Sequence, residues 1–581
     1  MSNLKTGDIS FFNCTVTGDE NKSDGVDPVT AEIVRHSLNS AADQMKRALV
    51  RTAFSPVIYE VLDFASAIYD KHYRLLAQAP SLPLFMGTLN FCIEAAVNEI
   101  GGESNLFPGD IIIYNSPYGT GSHPQDCVLI MPVYAQNDTI HIGYTAIKAH
   151  WLDCGGKEPY STDTVDVFQE GTVYPGVKLH SKGELVEDIW KMCIANTRVP
   201  KDVAGDINAQ IIGIKVGARE FTRVFDRFGI DEFNRCVEKM FDAGEKLVRS
   251  YLKELPDGIY KGSGQMDSPG VGEDIPVPFE ISVEIKGSDV LVDYSKSPIQ
   301  QPGPINCPLP STVSSSRVAL AMLAGGGEAP NEGYFRPIKI KTKVGTMFHP
   351  ESPAPAFLYG WPALQAMEVF YRAISVAAPD KVPASSGGCI LGCVWWGTRE
   401  KTGEPWADGS PYPVGHGAFY NGDSCTMLHI AESATRFSPA EVLENRNPWI
   451  VEKMEFIKDS MGQGEYRGGS AVEFHFRVTE DCYVTTVVER TKLPPWGLKG
   501  GLEGMPNNAI IEYVDGKRVN VPKATRLFVP KGAKLEVIGG GGGGFGDPTK
   551  RDINAIKNDL LNEVISIDTV EKYFPQYKTN T

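Results

Sequence analysis

The sequence predicts an α+β protein of several domains, with mixed and antiparallel sheets flanked by helices and a β-rich C-terminal half. Three observations support this prediction. The chain has 581 residues, more than one compact hydrophobic core accommodates, which indicates about two to four domains. In the first half, long segments with apolar residues at helical spacing lie between short β-prone runs. From about residue 446 onward, β-prone runs separated by turn residues predominate.

The individual elements follow from periodicity, capping residues and turn residues. Asp27 before Pro28 is a typical helix start, and apolar residues then recur at helical spacing. Helices are predicted at 28–53, 89–100, 206–228, 231–252, 311–323, 365–378 and 552–574. Strands are predicted at 59–70, 73–78, 111–114, 127–134, 140–149, 283–285, 290–292, 471–478, 483–488, 509–514 and 535–537.

Changes in composition along the chain suggest domain boundaries. A turn at 256–258 separates a helix-rich part from one in which short β-prone runs alternate with Gly and Pro. We predict an extended N-terminal arm at 1–27, an α+β domain at 28–255 that carries the candidate site, a mixed α/β middle domain at 256–445, and a β-rich domain with a terminal helix at 446–581.

The composition excludes several classes of function. The net charge of −16 argues against nonspecific nucleic-acid binding and against binding to an anionic membrane surface. No apolar run reaches the roughly 18–20 residues that a membrane span needs, and the N-terminus lacks the apolar core of a signal peptide. The eleven cysteines are scattered, which predicts reduced, mostly buried thiols in a cytoplasmic protein.

Two His-x-x-Asp pairs flank one predicted β-hairpin. His123 and Asp126 precede its first strand, His150 and Asp153 end its second, and turn residues lie at 136–138. Folding about this turn puts Asp126 opposite roughly residue 148, so both pairs are expected at one strand edge. Two imidazoles and two carboxylates suit a divalent metal ion. The alternative is a hydrogen-bonded His/Asp cluster that only stiffens the hairpin.

Three further polar residues are weighed as additions to this site. His180 is a candidate third imidazole, or else a histidine hydrogen-bonded in an ordered loop. Glu60 and Asp63 precede an apolar stretch, and are either surface carboxylates or additional site groups.

The glycine-rich run at 539–544 resembles a phosphate-binding loop only superficially. A P-loop requires Lys followed by Ser or Thr at the start of a helix, whereas here Pro548 follows within a few residues and disfavours a helix interior. A tight structural loop, or a lid over a site or a subunit interface, is the preferred interpretation. We therefore assign no cofactor-binding residues and no ATP site to this chain.

Several motifs in a fixed order carry a family resemblance. They include Asp63-Phe-Ala-Ser-Ala, Asn115-Ser-Pro-Tyr-Gly-Thr-Gly-Ser-His-Pro-Gln-Asp, Ala149-His-Trp-Leu-Asp-Cys-Gly-Gly, Gly205-Asp-Ile-Asn-Ala-Gln, Asp459-Ser-Met-Gly-Gln-Gly-Glu-Tyr-Arg-Gly-Gly and the glycine-rich tail through Asp552. From about residue 28 to residue 575, the sequence resembles the hydantoinase B / 5-oxoprolinase family.

The resemblance implies a two-subunit, ATP-dependent enzyme. A hydantoinase A-type partner subunit would bind ATP and Mg and phosphorylate a carbonyl, in a hetero-oligomer such as α2β2. Members open cyclic amides (hydantoins, oxoproline, lactams) or carboxylate ketones such as acetone. In the ketone carboxylases His and Asp hold a metal ion, so the resemblance implies a Zn or Mn site at His150 and Asp153, with His123, Asp126 and His180 nearby.

Departures from the family pattern bear on the substrate. Trp151 and Phe85 stand where many members carry histidine or have one close by. Together with Tyr118 in the glycine-rich site loop, these aromatic residues are expected to bind an apolar ring.

These observations give one main hypothesis and two alternatives. The main hypothesis is an ATP-dependent hydrolase of cyclic amides, with metal-assisted attack of water and with Asp126 or Glu60 as general base. A ketone carboxylase subunit is the first alternative. The second is a non-catalytic scaffold that only closes the active site of its partner.

Overall fold

A computed structural model describes residues 5–13, 23, 25–325, 327, 329–428 and 435–578. The helices are α1 (Pro28–Thr52), α2 (Pro83–Met86), α3 (Leu89–Glu99), α4 (Pro117–Thr120), α5 (Glu187–Ala195), α6 (Pro200–Leu252), α7 (Leu309–Ala324), α8 (Gly360–Ser375), α9 (Ala440–Arg446), α10 (Ile553–Leu561), α11 (Ile567–Tyr573) and α12 (Pro575–Lys578). Single turns of other helix types occur at Val57–Val61, Glu103–Asn105, Val167–Gln169, Glu332–Phe335, Pro379–Lys381 and Pro548–Lys550.

The strands form four sheets. They are β1 (Ile9–Asn13), β2 (Phe64–Asp70), β3 (Leu75–Gln78), β4 (Ile111–Tyr114), β5 (Asp126–Ala135), β6 (Ile140–His150), β7 (Pro175–Ser181), β8 (Glu184–Leu185), β9 (Gly258–Met266), β10 (Val277–Lys286), β11 (Asp289–Asp293), β12 (Ile338–Lys343), β13 (Gly392–Thr398), β14 (Pro405–Pro411), β15 (Trp449–Phe456), β16 (Val472–Val478), β17 (Cys482–Val487), β18 (Asn508–Glu512), β19 (Arg518–Asn520), β20 (Lys523–Val529) and β21 (Lys534–Gly539). The α+β class with mixed and antiparallel sheets is confirmed.

The seven-stranded sheet positions the candidate site. Its order is β3-β2-β6-β5-β4-β7-β8, and every neighbouring pair is antiparallel. On one face α1 and α6 pack together over the central strands, and their buried apolar residues share one core with those strands. The other face is covered by α3. The sheet is therefore buried on both faces, which accounts for the near-continuous apolar runs of β4 and β5.

The remaining sheets surround this unit. One has the order β1-β12-β11-β10-β9, so part of the predicted N-terminal arm is a strand paired with β12. The second, β14-β13-β17-β20, joins strands from both sides of the predicted boundary at residues 445 and 446. The third has the order β15-β16-β21-β18-β19. The division into domains stays a prediction.

Most predicted elements lie where the sequence placed them, and three differ. The terminal helix predicted at 552–574 is divided into α10 and α11. The strand predicted at 59–70 begins only at Phe64, because a π-helical turn at Val57–Val61 comes first and Leu62 follows it with a left-handed φ of 66°. The helices predicted at 206–228 and 231–252 are both parts of α6, which is kinked at Gly229, where φ is 73°. Across the described residues, no helix has the length and apolar character needed to cross a membrane.

The glycine-rich run at 539–544 forms the centre of a dense backbone bundle. The amide N–H groups of Gly541, Gly542, Gly543 and Gly544 donate to the carbonyls of Met505, Gly469, Ser385 and Leu502, at 2.8–3.0 Å. A Cβ atom on Gly542 would lie 1.9 Å from the carbonyl oxygen of His416. These four N–H groups are satisfied within the chain, as expected for the structural-loop interpretation and not for a phosphate-binding loop.

Replacing Gly542 tests this packing. We expect Gly542→Ala to destabilise the protein by about 3 kcal/mol or more, because the added methyl group meets backbone atoms that cannot move independently. Gly422→Ala is the matched control, since a Cβ there has no neighbour within 4 Å. Thermal unfolding of both variants measures the difference, and equal melting temperatures would contradict the packing argument.

Candidate functional site

The β5–β6 hairpin brings the first His-x-x-Asp pair to the end of the second strand. Its turn contains three consecutive left-handed residues, Gln136, Asn137 and Asp138, with φ of 52°, 58° and 63°. A register shift near Tyr134 follows, and Asp126 then pairs directly with His150. The predicted register, with Asp126 opposite residue 148, was wrong by two residues. The four-residue loop and the bulge account for this shift, which places His150 directly beside the carboxylate.

His123, Asp126 and His150 form a compact buried cluster. Nε2 of His123 lies 3.0 Å from Nδ1 of His150, and Oδ1 of Asp126 lies 3.2 Å and 3.0 Å from these two nitrogens. The three side chains belong to residues that are at most 8% exposed. Ligands bound to one zinc ion at about 2.0–2.2 Å are separated by about 3–3.5 Å. Among the described residues, this is the group whose donor atoms are arranged to hold a metal ion.

Electrostatics favour the charged form of the central carboxylate. Burial alone would raise the pKa of Asp126, but the charges and hydrogen bonds of His123 and His150 hold that pKa well below its usual range. The cluster therefore presents an anionic oxygen between two imidazoles, which is the ligand chemistry of borderline divalent ions.

Residues far along the chain orient two of the three donors. Nδ1 of His123 donates to the carbonyl oxygen of Phe357 at 2.8 Å, which leaves Nε2 facing Asp126 and His150. The hydroxyl of Tyr359 donates to Oδ2 of Asp126 at 2.8 Å. Such outer partners fix the orientation of metal-ligating groups.

Glu170 holds this outer segment in place. Its Oε1 accepts the backbone N–H groups of Ala356 and Phe357, each at 2.8 Å, and the hydroxyl of Thr164 at 2.9 Å. Burial raises the pKa of Glu170 to about 8. The loop after β6 is thereby attached to the segment that carries Tyr359.

Asp63 supplies a carboxylate that has a free oxygen. It follows the π-helical turn, and its Oδ1 is buried with no hydrogen-bond partner in the described structure. Burial raises the pKa of Asp63 to about 7, while the charge of His150 opposes this rise and that of Asp126 adds to it. Sequence reasoning weighed Asp63 only beside Glu60, as a surface group or an additional site group.

A cavity of about 70 Å³ opens beside the cluster. Its polar wall contains His123, Asp126, His150 and Asp63. The rest of its lining is predominantly apolar and aromatic: Val57, Val61, Leu82, Leu84, Phe85, Tyr160, Tyr359, Gly360, Trp361, Ile390, Gly392, Cys393, Val394, Gly409, Ser410 and Pro411. An apolar pocket with a few convergent polar groups is typical of a small-molecule site.

The structure does not bring three predicted site residues into the cluster. Asp153 forms an ion pair with Arg198 at 2.6 Å. His180 lies on β7 near the edge of the sheet, where its Nδ1 is 3.3 Å from the carbonyl oxygen of Gly183. Glu60 accepts hydrogen bonds from Arg446 at 2.5 Å and Ser438 at 2.8 Å. The sequence analysis assigned these three side chains to metal binding or to base catalysis. In the structure they instead form hydrogen bonds or ion pairs outside the cluster.

The predicted substrate-binding aromatics also separate. Phe85 lines the cavity, whereas Trp151 and Tyr118 are not among the described residues that line it. Nε1 of Trp151 donates to Oε1 of Gln210 at 2.8 Å, and Tyr118 donates to the carbonyl of Ala354 at 2.7 Å. Both residues were expected to contact the substrate. In the structure they instead support neighbouring segments through these hydrogen bonds.

Gln210 is the last residue of the motif Gly205-Asp-Ile-Asn-Ala-Gln, and its side chain contacts both strands of the hairpin. Its Nε2 donates to the carbonyls of Cys127 and Ile147, each at 3.1 Å, while its Oε1 receives Trp151. One side chain of α6 therefore ties together the two strands that carry Asp126 and His150.

Tyr359, Phe357 and Glu170 were missed as site residues. Tyr359 lies 233 positions from Asp126, and no local pattern marks that distance as a contact. The available signal was an aromatic segment, Tyr359-Gly-Trp-Pro, which lies shortly before the helix predicted at 365–378.

A buried His/Asp cluster at the wall of an apolar cavity defines a candidate small-molecule site, and its three donor atoms lie close enough together to hold a metal ion. The chain belongs to the hydantoinase B/oxoprolinase family, whose model matches residues 27–548. The predicted family resemblance is therefore confirmed.

Relatives align along nearly the whole chain. The chain is 30% identical to an uncharacterised protein of Methanocaldococcus jannaschii, over 93% of this chain and 94% of that protein. It is 28% identical to the B-type subunit of a putative D-/L-hydantoinase of a Pseudomonas species, with 95% of both chains covered. It is 29% identical to the beta subunit of the caprolactamase of Pseudomonas jessenii, over 94% and 95% of the two chains.

Two solved structures share the fold. The ATP-dependent caprolactamase from Pseudomonas jessenii superposes with a TM-score of 0.85 at 26% identity, covering 94% of this chain and 96% of that chain. Nucleotide-free acetone carboxylase gives a TM-score of 0.83 at 17% identity, over 94% and 79% of the two chains. At that identity the second likeness concerns the fold alone.

Proposed function

We propose that this chain is the B-type component of a two-component, ATP-dependent cyclic amidase that opens a lactam or a related ring. The observation that carries the proposal is the His123, Asp126 and His150 cluster at the wall of an apolar cavity. The names of two relatives, one a component of a caprolactamase and one a component of a hydantoinase, support both the reaction class and the need for a second subunit.

The partner would be a hydantoinase A-type subunit that binds ATP and Mg. In this chain the glycine-rich run uses its amide N–H groups internally, so that run offers no donors for a nucleotide phosphate. A hetero-oligomer such as α2β2 fits this division of labour.

The cluster fits a divalent metal ion, Zn or Mn. His123, Asp126 and His150 would hold it, and the donor set of two imidazoles and one carboxylate suits either ion. The hydrogen bonds of His123 to Phe357 and of Tyr359 to Asp126 support this fit, because they orient the two donor groups. When bound, such an ion lowers the pKa of a coordinated water toward neutrality.

The residues of this chain then act on an activated carbonyl. Resonance makes an amide hard to hydrolyse, and O-phosphorylation by the partner would remove that resonance. Asp63 lines the cavity with an unpaired carboxylate oxygen, so it can accept the proton of the attacking water. The apolar walls exclude other water from the ring.

Asp63 replaces the two bases expected from sequence. Oδ1 of Asp126 faces the two imidazoles and Oδ2 accepts the Tyr359 hydroxyl. Glu60 pairs with Arg446. Asp126 thus has partners on both oxygens, and Glu60 is not among the described residues that line the cavity.

Removing one imidazole tests the metal site. We expect His150→Ala to lose bound metal and to lower ring opening at least about 100-fold, because a donor is missing, while assembly with the partner persists. His180→Ala is the matched control and should keep both properties. Metal analysis of the purified complex and assay of the ring-opened product measure them.

Full activity in His150→Ala would contradict the proposal and favour a non-catalytic scaffold. The same assay with labelled bicarbonate separates the carboxylase alternative. Label retained in the product would overturn hydrolysis in favour of carboxylation.

Asp63→Asn tests the general base. We expect kcat to fall about 100- to 10,000-fold, with metal content unchanged, because Asn keeps the shape of the side chain and cannot accept a proton. Glu60→Gln is the control and should retain near-normal kcat. Equal activity of Asp63→Asn and the unmodified protein would exclude Asp63 as the base.

A further inference from the structure

We infer that this site selects uncharged cyclic substrates and rejects those whose ring carries a carboxylate. This inference rests on the proposed function and adds the charge class of the substrate. It separates neutral lactams from oxoproline-type substrates, which the family likeness alone does not.

The described residues of the cavity wall include no lysine or arginine side chain that could pair with a substrate carboxylate. The charged groups at the wall are the carboxylates of Asp63 and Asp126, beside His123 and His150. A carboxylate on a substrate would therefore meet two carboxyl groups and no ammonium or guanidinium group at this wall.

Two basic side chains that lie beside residues of the cavity wall are already engaged. Lys148 lies on β6 with its ammonium group 4.4 Å from the ring centre of Phe85, and it donates to the Thr88 hydroxyl at 3.2 Å and the Thr120 carbonyl at 3.0 Å. Lys148 is fully buried and does not line the cavity.

Arg446 lies beside the cavity wall, because its partner Asp408 directly precedes the lining residue Gly409, and it is also engaged. It forms ion pairs with Glu60 and Asp408 at 2.5 Å and 3.0 Å. Neither cation is available to a carboxylate in the cavity without breaking buried hydrogen bonds or ion pairs.

The size and surface of the cavity suit a small apolar ring. Its volume of about 70 Å³ is several times the roughly 10–15 Å³ that is needed to hold one water molecule, which suits a small ring. Leu84, Phe85, Trp361 and Ile390 supply apolar contact. A carboxylate on such a ring would lose its hydration and face apolar atoms or like charges.

A pair of substrates that differ by one carboxylate tests the inference. The complete two-subunit complex is assayed with ATP and either 2-pyrrolidinone or 5-oxoproline, and the carboxamide of 5-oxoproline serves as the neutral control of equal size. We expect kcat/KM for 2-pyrrolidinone to exceed that for 5-oxoproline at least about 100-fold, and the carboxamide to lie much closer to 2-pyrrolidinone.

A variant shows whether the selection arises at this wall or in the partner. Val394 lines the cavity from β13 and is partly exposed. We expect Val394→Lys to lower the ratio of kcat/KM for 2-pyrrolidinone to kcat/KM for 5-oxoproline at least about tenfold. Val394→Met should leave this ratio unchanged. Ser410→Lys, on the paired strand β14, provides the same measurement if Val394→Lys does not assemble.

Each other outcome overturns a defined part of the account. Equal kcat/KM for 2-pyrrolidinone and 5-oxoproline would overturn the charge selection and leave the amidase proposal standing. A carboxamide as poor as 5-oxoproline would assign the selection to size, and an unchanged ratio in an assembled lysine variant would place it outside this wall. If none of the three amides is hydrolysed, the proposed function fails together with the inference.

Discussion

The pairing of Asp126 with His150 across one hairpin is the constraint on which the rest of the site depends. A buried carboxylate is costly unless it is paired, and here two imidazoles approach the same oxygen. A change of register by one residue would turn one of these side chains to the opposite face of the sheet. Three features therefore determine whether Asp126 lies beside His150. They are the turn at 136–138, the nearby register shift and the hydrogen bonds of Gln210 to both strands.

The site is completed by segments that are distant in sequence. Phe357 and Tyr359 orient two donors, Glu170 attaches their segment to the loop after β6, and β13 and β14 close the cavity. The glycine-rich bundle plays a different part, since it joins several loops of the C-terminal half through backbone hydrogen bonds alone. Under the proposed function, substrate chemistry takes place in the cavity of this chain, and nucleotide chemistry takes place in the partner.

Local patterns predicted what local interactions determine. The helix at Pro28–Thr52, the hairpin and the convergence of His123, Asp126 and His150 all follow from spacing and turn chemistry. The structure places Asp153, His180 and Glu60 outside the cluster, because they form hydrogen bonds and ion pairs elsewhere, above all with Arg198 and Arg446, and such contacts cannot be read from spacing. Tyr359 and the unpaired oxygen of Asp63 could not be found either, because burial and tertiary contact alone create them.

The central claim is that three side chains of this hairpin hold one divalent ion. Anomalous diffraction from crystals of the two-subunit complex, measured on both sides of the zinc and manganese absorption edges, tests it most directly. The account predicts one strong peak bound by Nε2 of His123, Nδ1 of His150 and a carboxylate oxygen of Asp126. A fully formed cluster with no anomalous peak, or a peak bound instead by Asp153 or His180, would contradict it.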